Sequence, residues 1–229
     1  MTATPAHPSP KTTGATFVLP ISSIVSQEAQ LDAIYGEPVP AAVLKEVPIV
    51  TAEYRAFIEA SPFVVLATAG PNGDGLDCSP RGDPAGFVRV LDERTLAIPD
   101  RRGNNRVDSL RNIVRDGRVG LLFLVPGVGE TLRVNGRAVL SADPDLRASF
   151  AAGEQRDKVP ATVIVITVES VYIQCPKALV RSKLWDPATQ IERSALPSMG
   201  EILHTISEGN FDGTAFDAAY PERLRQTIY

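Results

Sequence analysis

The chain has 229 residues, 44% hydrophobic and 22% charged, with a formal net charge of −4. That balance suits a globular protein with a buried core, and the acidic sign speaks against a nucleic-acid partner. No apolar run reaches the roughly 18 residues of a membrane span, and Cys78 and Cys175 are too few for a disulfide scaffold. A soluble cytoplasmic protein with free thiols is therefore expected.

Residues 1–15, rich in Pro, Thr and Ala, read as a disordered tail, and 16–229 as a single domain. A helix is predicted over 22–35, where Ile24, Leu31 and Ile34 recur near a 3.6 period before Gly36 and Pro38 stop it. Thr51 caps a second helix, TAEYRAFIEA. Strand signals begin with FVVLATA (63–69), which ends in the turn-like AGPNGDG, and LDCSPR follows. FVRVLD and TLAIP read as a hairpin turning at Asp92–Arg94. A helix is expected from Asn104 or Asn105 to Arg115, with Val107, Leu110, Ile113 and Val114 on one side.

VGLLFLV (119–125) is nearly continuous in apolar residues and is expected to be buried on both sides. GETLRVNGRAVLSA alternates, and Gly136 marks a bulge or tight corner. Pro144 opens a short helix, TVIVITVESVYIQ is a long last strand, PKALVRSKLW starts another helix, and SMGEILHTISEG is a final helix closed by Gly209. The strands do not alternate regularly with helices, so a doubly wound sheet is disfavoured and an antiparallel barrel with peripheral helices is the expected class.

Four segments could carry chemistry. In SPRGDPAGF (79–87), alternating Pro and Gly make a rigid turn that holds Ser79 and Arg81, and an Arg there suits a phosphate or a flat polar ring. In IPDRRGNNRVDSLRNI (98–113) a strand runs into a helix start flanked by Arg101, Arg102 and Arg106, an arrangement that favours anions. A plain turn, and a capped helix with solvated arginines, account for the same residues. Arg133, Asn135 and Arg137 share a strand face that lines a pocket or is simply wet. Trp185, the only tryptophan, lies near Lys177, Arg181 and Lys183 and can stack on a ring or anchor a core. The two histidines, His7 and His204, have no triad context, and there is no HExxH motif, Cys/His cluster or Walker loop. A chain poor in acid–base groups but rich in Arg beside rigid loops suits chemistry supplied by a cofactor.

In order, FVVLATAGPNGDGLDCSPRGD, FVRVLDERTLAIPDRRGNNRVDSLRNI and VGLLFLVPGVGETLRVNGRA, with the late C-x-K-A-x-x-R-S-x-L-W pattern, resemble the pyridoxamine 5'-phosphate oxidase-like family of FMN-binding split barrels, and a bacterial flavoprotein branch within it. The resemblance spans about residues 20–205. It implies a mainly β fold, a six-stranded antiparallel split β-barrel with peripheral α-helices, and a homodimer with two FMN sites at the interface. It implies an FMN-dependent oxidoreductase that moves a hydride through flavin N5 to or from a small substrate. A non-catalytic flavin-storage module and a relative using a deazaflavin are the alternatives, and haem is disfavoured for want of a suitable His.

Carried over by the resemblance, the phosphate would be held by Ser79, Arg81, Asn105 and Arg106, with Arg101 and Arg102 nearby. Backbone at Ile98 and Pro99 would run beside the ring. Arg133, Arg181, Ser182 and Trp185 would approach the flavin from other segments. The oxidases carry Arg-x-x-x-x-Lys on the second strand, where this chain has Ser79-Pro80-Arg81-Gly82, and their substrate-recognising Arg/Trp-rich ending has no match here. The resemblance therefore extends to FMN binding but not to vitamin B6 oxidation.

Overall fold

Alternation along the strand segments is resolved in a computed structural model, which describes residues 17–70, 75–151 and 158–228. The tail expected at 1–15 lies outside the described residues, as does part of the turn after the first strand. In chain order the elements are α1 (Glu28–Tyr35), α2 (Pro40–Leu44), α3 (Ala52–Ala60), β1 (Phe63–Ala69), β2 (Leu76–Gly82), β3 (Arg89–Asp92), β4 (Thr95–Asp100), α4 (Asp108–Arg115), β5 (Arg118–Leu124), β6 (Thr131–Ser141), α5 (Pro144–Ser149), β7 (Thr162–Gln174), α6 (Lys177–Ser182), α7 (Met199–Ile206) and α8 (Gly213–Thr227). Contacts group the described residues into two units, 17–39 with 193–221, and 40–192 with 222–228.

The larger unit is built on one antiparallel sheet in the order β2-β1-β5-β6-β7-β4-β3. The fold is mainly β, as expected, but the six-stranded closed barrel is not what forms. All seven strand segments read from the sequence enter the sheet, and the sheet stays open because β2 and β3 do not pair with each other. Each edge carries its own obstacle to further pairing. Pro80 removes a backbone donor from β2, and β3 is four residues long with a register shift between Val90 and Asp92.

Ile58 of α3 packs with Val64 and Leu66 of β1, Leu121 and Phe123 of β5, Leu132 and Val134 of β6, and Ile164 and Ile166 of β7. Fully burying each such side chain contributes about 1.5–3 kcal/mol. α3 is started by Thr51, whose Oγ1 accepts from Tyr54 N, and Tyr54 Oη donates to Lys45 O at 2.6 Å. β5 departs from the expectation of burial on both sides. Val119, Leu121 and Phe123 are buried, whereas Gly120, Leu122 and Leu124 are half-buried. The pleat, not the continuous apolar composition, sets burial here.

The corner expected at Gly136 is present as a register shift between Asn135 and Gly136 in the β6–β7 ladder. A Cβ built on Gly136 would clash with Thr167 O, so only glycine fits the approach of β7.

In the smaller unit, α7 is started by a capping box. Ser198 Oγ accepts from Glu201 N, and the Glu201 carboxylate accepts from Ser198 N. Gly209, at φ +86°, donates from N to His204 O and closes the helix. α7 is not the last helix, however, because α8 follows. Pro221 inside α8 obscures its helical pattern in the sequence. Among the described residues, no helix is long and apolar enough to cross a membrane.

Candidate functional site

β2 and β4 end near the start of α4, and their ends shape a cavity of about 740 Å³. Pro80, Arg81 and Gly82 come from β2, and Phe87 from the segment before β3. Pro99 and Asp100 close β4. The connection to α4 supplies Arg101 to Asn105 and Val107, and α4 itself supplies Leu110. Lys158 to Thr162, leading into β7, complete the wall.

α4 starts at Asp108, later than the sequence suggested, because the connection is held in left-handed backbone. Asn105 has φ +61° and Val107 φ +52°. Asn tolerates that region, and Asn104 Oδ1 supports the bend by accepting from Arg106 N at 3.1 Å. A β-branched Val at positive φ is strained, by about 1–3 kcal/mol, and such strain collects at ligand clamps.

The helix is seated by two polar ties. Asn112 Nδ2 donates to Thr68 Oγ1 of β1 at 3.0 Å. Asp77 Oδ2 of β2 accepts from Ser109 Oγ at 2.5 Å and from Ser79 Oγ at 2.9 Å, and the two hydroxyls lie 2.8 Å apart. Burial pushes the Asp77 carboxyl up, but the hydrogen bonds from Ser109 and Ser79, the Arg81 charge and the Cys78 N–H outweigh it. The carboxyl is held below the usual aspartate value.

Arg81 donates from one terminal nitrogen to Pro80 O at 2.8 Å, while its Nε is buried without a hydrogen-bond partner among the described residues. Arg101 donates from Nε to Asp83 Oδ2 at 2.7 Å and from its terminal nitrogens to Lys158 O and Phe150 O. Asp100 is half-buried in the wall. Burial raises its carboxyl above the usual value, and the Arg81 charge offsets only part of that rise.

Of the residues singled out in the sequence, the cavity brings together Arg81, Pro99, Arg101, Arg102 and Asn105. Ser79 is beside it, with its hydroxyl engaged by Asp77 and Ser109. Ile98 is fully buried in the core, so only its backbone is available to a ligand. Arg106 points away into an exposed pair with Asp108, Nε to Oδ2 at 2.8 Å. Arg133 stands on β6, donating to Tyr172 Oη at 2.8 Å with its guanidinium 5.5 Å from that ring. Arg181 and Ser182 belong to α6, where Ser182 Oγ donates to Leu179 O. Trp185 Nε1 donates to Val128 O at 2.8 Å. None of these last four lines the cavity.

Asp83, Asp100, Lys158 and Thr162 are candidates that only the structure adds. Asp83 lay within the SPRGD motif, and Asp100 was visible as a charged residue ending an apolar strand. Lys158 and Thr162 carry no local signal, since only the β4–β7 pairing brings their segment here.

The sequence profile of the pyridoxamine 5'-phosphate oxidase family matches residues 50–175, more than half of the chain and all seven strands. The chain belongs to this family. No curated protein matches it in sequence. Among solved structures, it is similar to a single-substitution variant of HupZ from Group A Streptococcus, with 20% identity over 55% of this chain and 99% of that one and a TM-score of 0.45. A candidate pyridoxamine 5'-phosphate oxidase from Lactobacillus delbrueckii gives 23% identity over 55% and 95%, with a TM-score of 0.42. An FMN-binding protein from Syntrophomonas wolfei gives 9% identity over 63% and 96%, with a TM-score of 0.39.

Proposed function

We propose that the chain binds FMN in the cavity between the ends of β2 and β4 and acts as an FMN-dependent oxidoreductase on a small substrate. The observation that carries this reading is the Arg81 guanidinium in the cavity wall, whose buried Nε–H has no acceptor among the described residues. A buried donor left unpaired is costly, and a phosphate oxygen would satisfy it. Family membership supports the same ligand.

The residues present fit such a group. The cavity lies within the range of about 300–1,000 Å³ usual for cofactor sites. Arg81 and Arg102 supply positive charge, and Asn105 with the neighbouring backbone supplies donors. Arg101 has its charge matched by Asp83, so its part is to hold the loop in place. Ser79 acts through Asp77 and Ser109, which seat the helix behind the phosphate. Bound flavin would exchange a hydride with the substrate at N5. The apolar lining from Phe87, Val107 and Leu110 would keep water from the part of the ligand it covers.

We further infer that two copies associate. Arg133, Arg181, Ser182 and Trp185 do not line the cavity of their own chain, and a second copy could present them to the flavin.

The purified protein is expected to be yellow, or to quench the fluorescence of added FMN with saturation. A colourless protein that leaves FMN fluorescence unchanged overturns the reading. Anaerobic addition of NADH or NADPH then separates an oxidoreductase, whose flavin bleaches and recovers with an acceptor, from a flavin carrier, whose flavin stays oxidised with every donor.

A further inference from the structure

β4 and β7 pair in a regular antiparallel register. Leu96 lies opposite Ile166, Ile98 opposite Ile164, and Asp100 opposite Thr162. The side-chain period of a strand is two, so these three pairs stand in one row on one face of the sheet. The first two pairs are fully buried in the main core. The third continues the row but is polar, and both of its members line the cavity.

A core row that ends in an Asp and a Thr calls for partners. Among the described residues Thr162 Oγ1 is buried without a partner, and none makes a hydrogen bond to the Asp100 carboxyl. Arg81 lines the same cavity as Asp100 and Thr162, and its charge acts on the Asp100 carboxyl. The pair therefore sits next to the cation assigned above to the phosphate.

The structure assigns Asp100 and Thr162, by this juxtaposition, as a hydroxyl-binding pair that grips the polyol chain of the bound phosphate ester beside Arg81. The assignment rests on the flavin reading and deepens it. In FMN the phosphate ends a chain of hydroxyl-bearing carbons, so groups adjacent to the phosphate anchor meet that chain first. A carboxylate accepts from hydroxyls, and a threonine hydroxyl both donates and accepts, which matches a polyol. A carboxylate facing the phosphate itself would instead repel it.

Three probes divide the ligand into its parts: FMN, riboflavin, which keeps the polyol but lacks phosphate, and lumiflavin, which lacks both. Each is titrated by fluorescence quenching against wild type, Asp100→Ala and Thr162→Val. The expected result is that Asp100→Ala weakens FMN and riboflavin by a similar factor of about ten or more and leaves lumiflavin unchanged. Thr162→Val, which keeps the side-chain shape, follows the same pattern with a smaller factor. Equal weakening of all three probes, weakening of FMN alone, or no change in either variant overturns the assignment while leaving flavin binding in place. Wild type that binds none of the three overturns the flavin reading and this assignment with it. Circular dichroism melting of both variants shows whether each has folded, and Thr162→Val decides the matter if Asp100→Ala has not.

Discussion

Arg101 donates from Nε to Asp83 Oδ2 at 2.7 Å, and the carboxylate side chain it meets is only 3% exposed. The pair joins the end of β2 to the loop after β4, and the same guanidinium reaches the carbonyls of Lys158 and Phe150. One side chain thus braces the walls of the cavity from within. Asp83→Asn keeps the shape and removes the charge, and it is expected to destabilise the protein by about 1–3 kcal/mol. A urea unfolding curve with an unchanged midpoint would contradict the bracing role.

Arg81 and Arg106 were both expected at the phosphate, but they stand differently in the structure. Arg81 has a buried donor in the cavity wall, whereas Arg106 is exposed and paired with Asp108. Arg81→Ala is expected to weaken FMN binding by about 1.5–3 kcal/mol, the loss of a charge-assisted hydrogen bond. Arg106→Ala is expected to cost less than about 1 kcal/mol, as for an exposed charge. Equal losses in fluorescence titrations of the two variants would show that the loop rearranges to bring Arg106 in.

Gly136→Ala tests the β6 corner. Its new Cβ would clash with the Thr167 carbonyl, and backbone cannot step aside as a flexible side chain can. A loss of about 1–3 kcal/mol is expected, seen as a lower melting temperature. An unchanged melt would mean that the two long strands slide freely at the bulge.

Two carboxyls should act on stability in opposite directions as pH changes. The Asp77 carboxyl is lowered, so its contribution is present above the unfolded value of about 3.9 and is lost as pH falls through the folded value. The Asp100 carboxyl is raised. The folded state therefore holds its proton longer than the unfolded state, and stability falls as pH rises from about 3.9 through the folded value. Asp100→Asn is expected to be more stable than wild type at neutral pH, with the gap closing in acid. Parallel pH profiles of unfolding midpoints for the two proteins would refute this.

The elements were legible where local chemistry decides them. Thr51 caps α3 because a hydroxyl at that position satisfies a backbone N–H within the same turn. Gly136 marks a corner because missing side-chain bulk is visible in any sequence. The start of α4 is not legible locally, because Asn104 and Asn105 look like caps, whereas here they hold a left-handed bend. α8 is not legible in the sequence because Pro221 interrupts its pattern.

The candidate site follows the same division. By itself the sequence determined the strands, the Thr51 cap, the family and the segments holding Arg81 and Arg101–Asn105, because periodicity, turn chemistry and motif order are properties of neighbouring residues. Only the tertiary structure decided that the sheet is open with seven strands, that Asp83 neutralises Arg101, that Arg106 turns away, and that Asp100 meets Thr162. Those outcomes depend on register between strands far apart in the chain. Register is set by which face of every strand is buried at once.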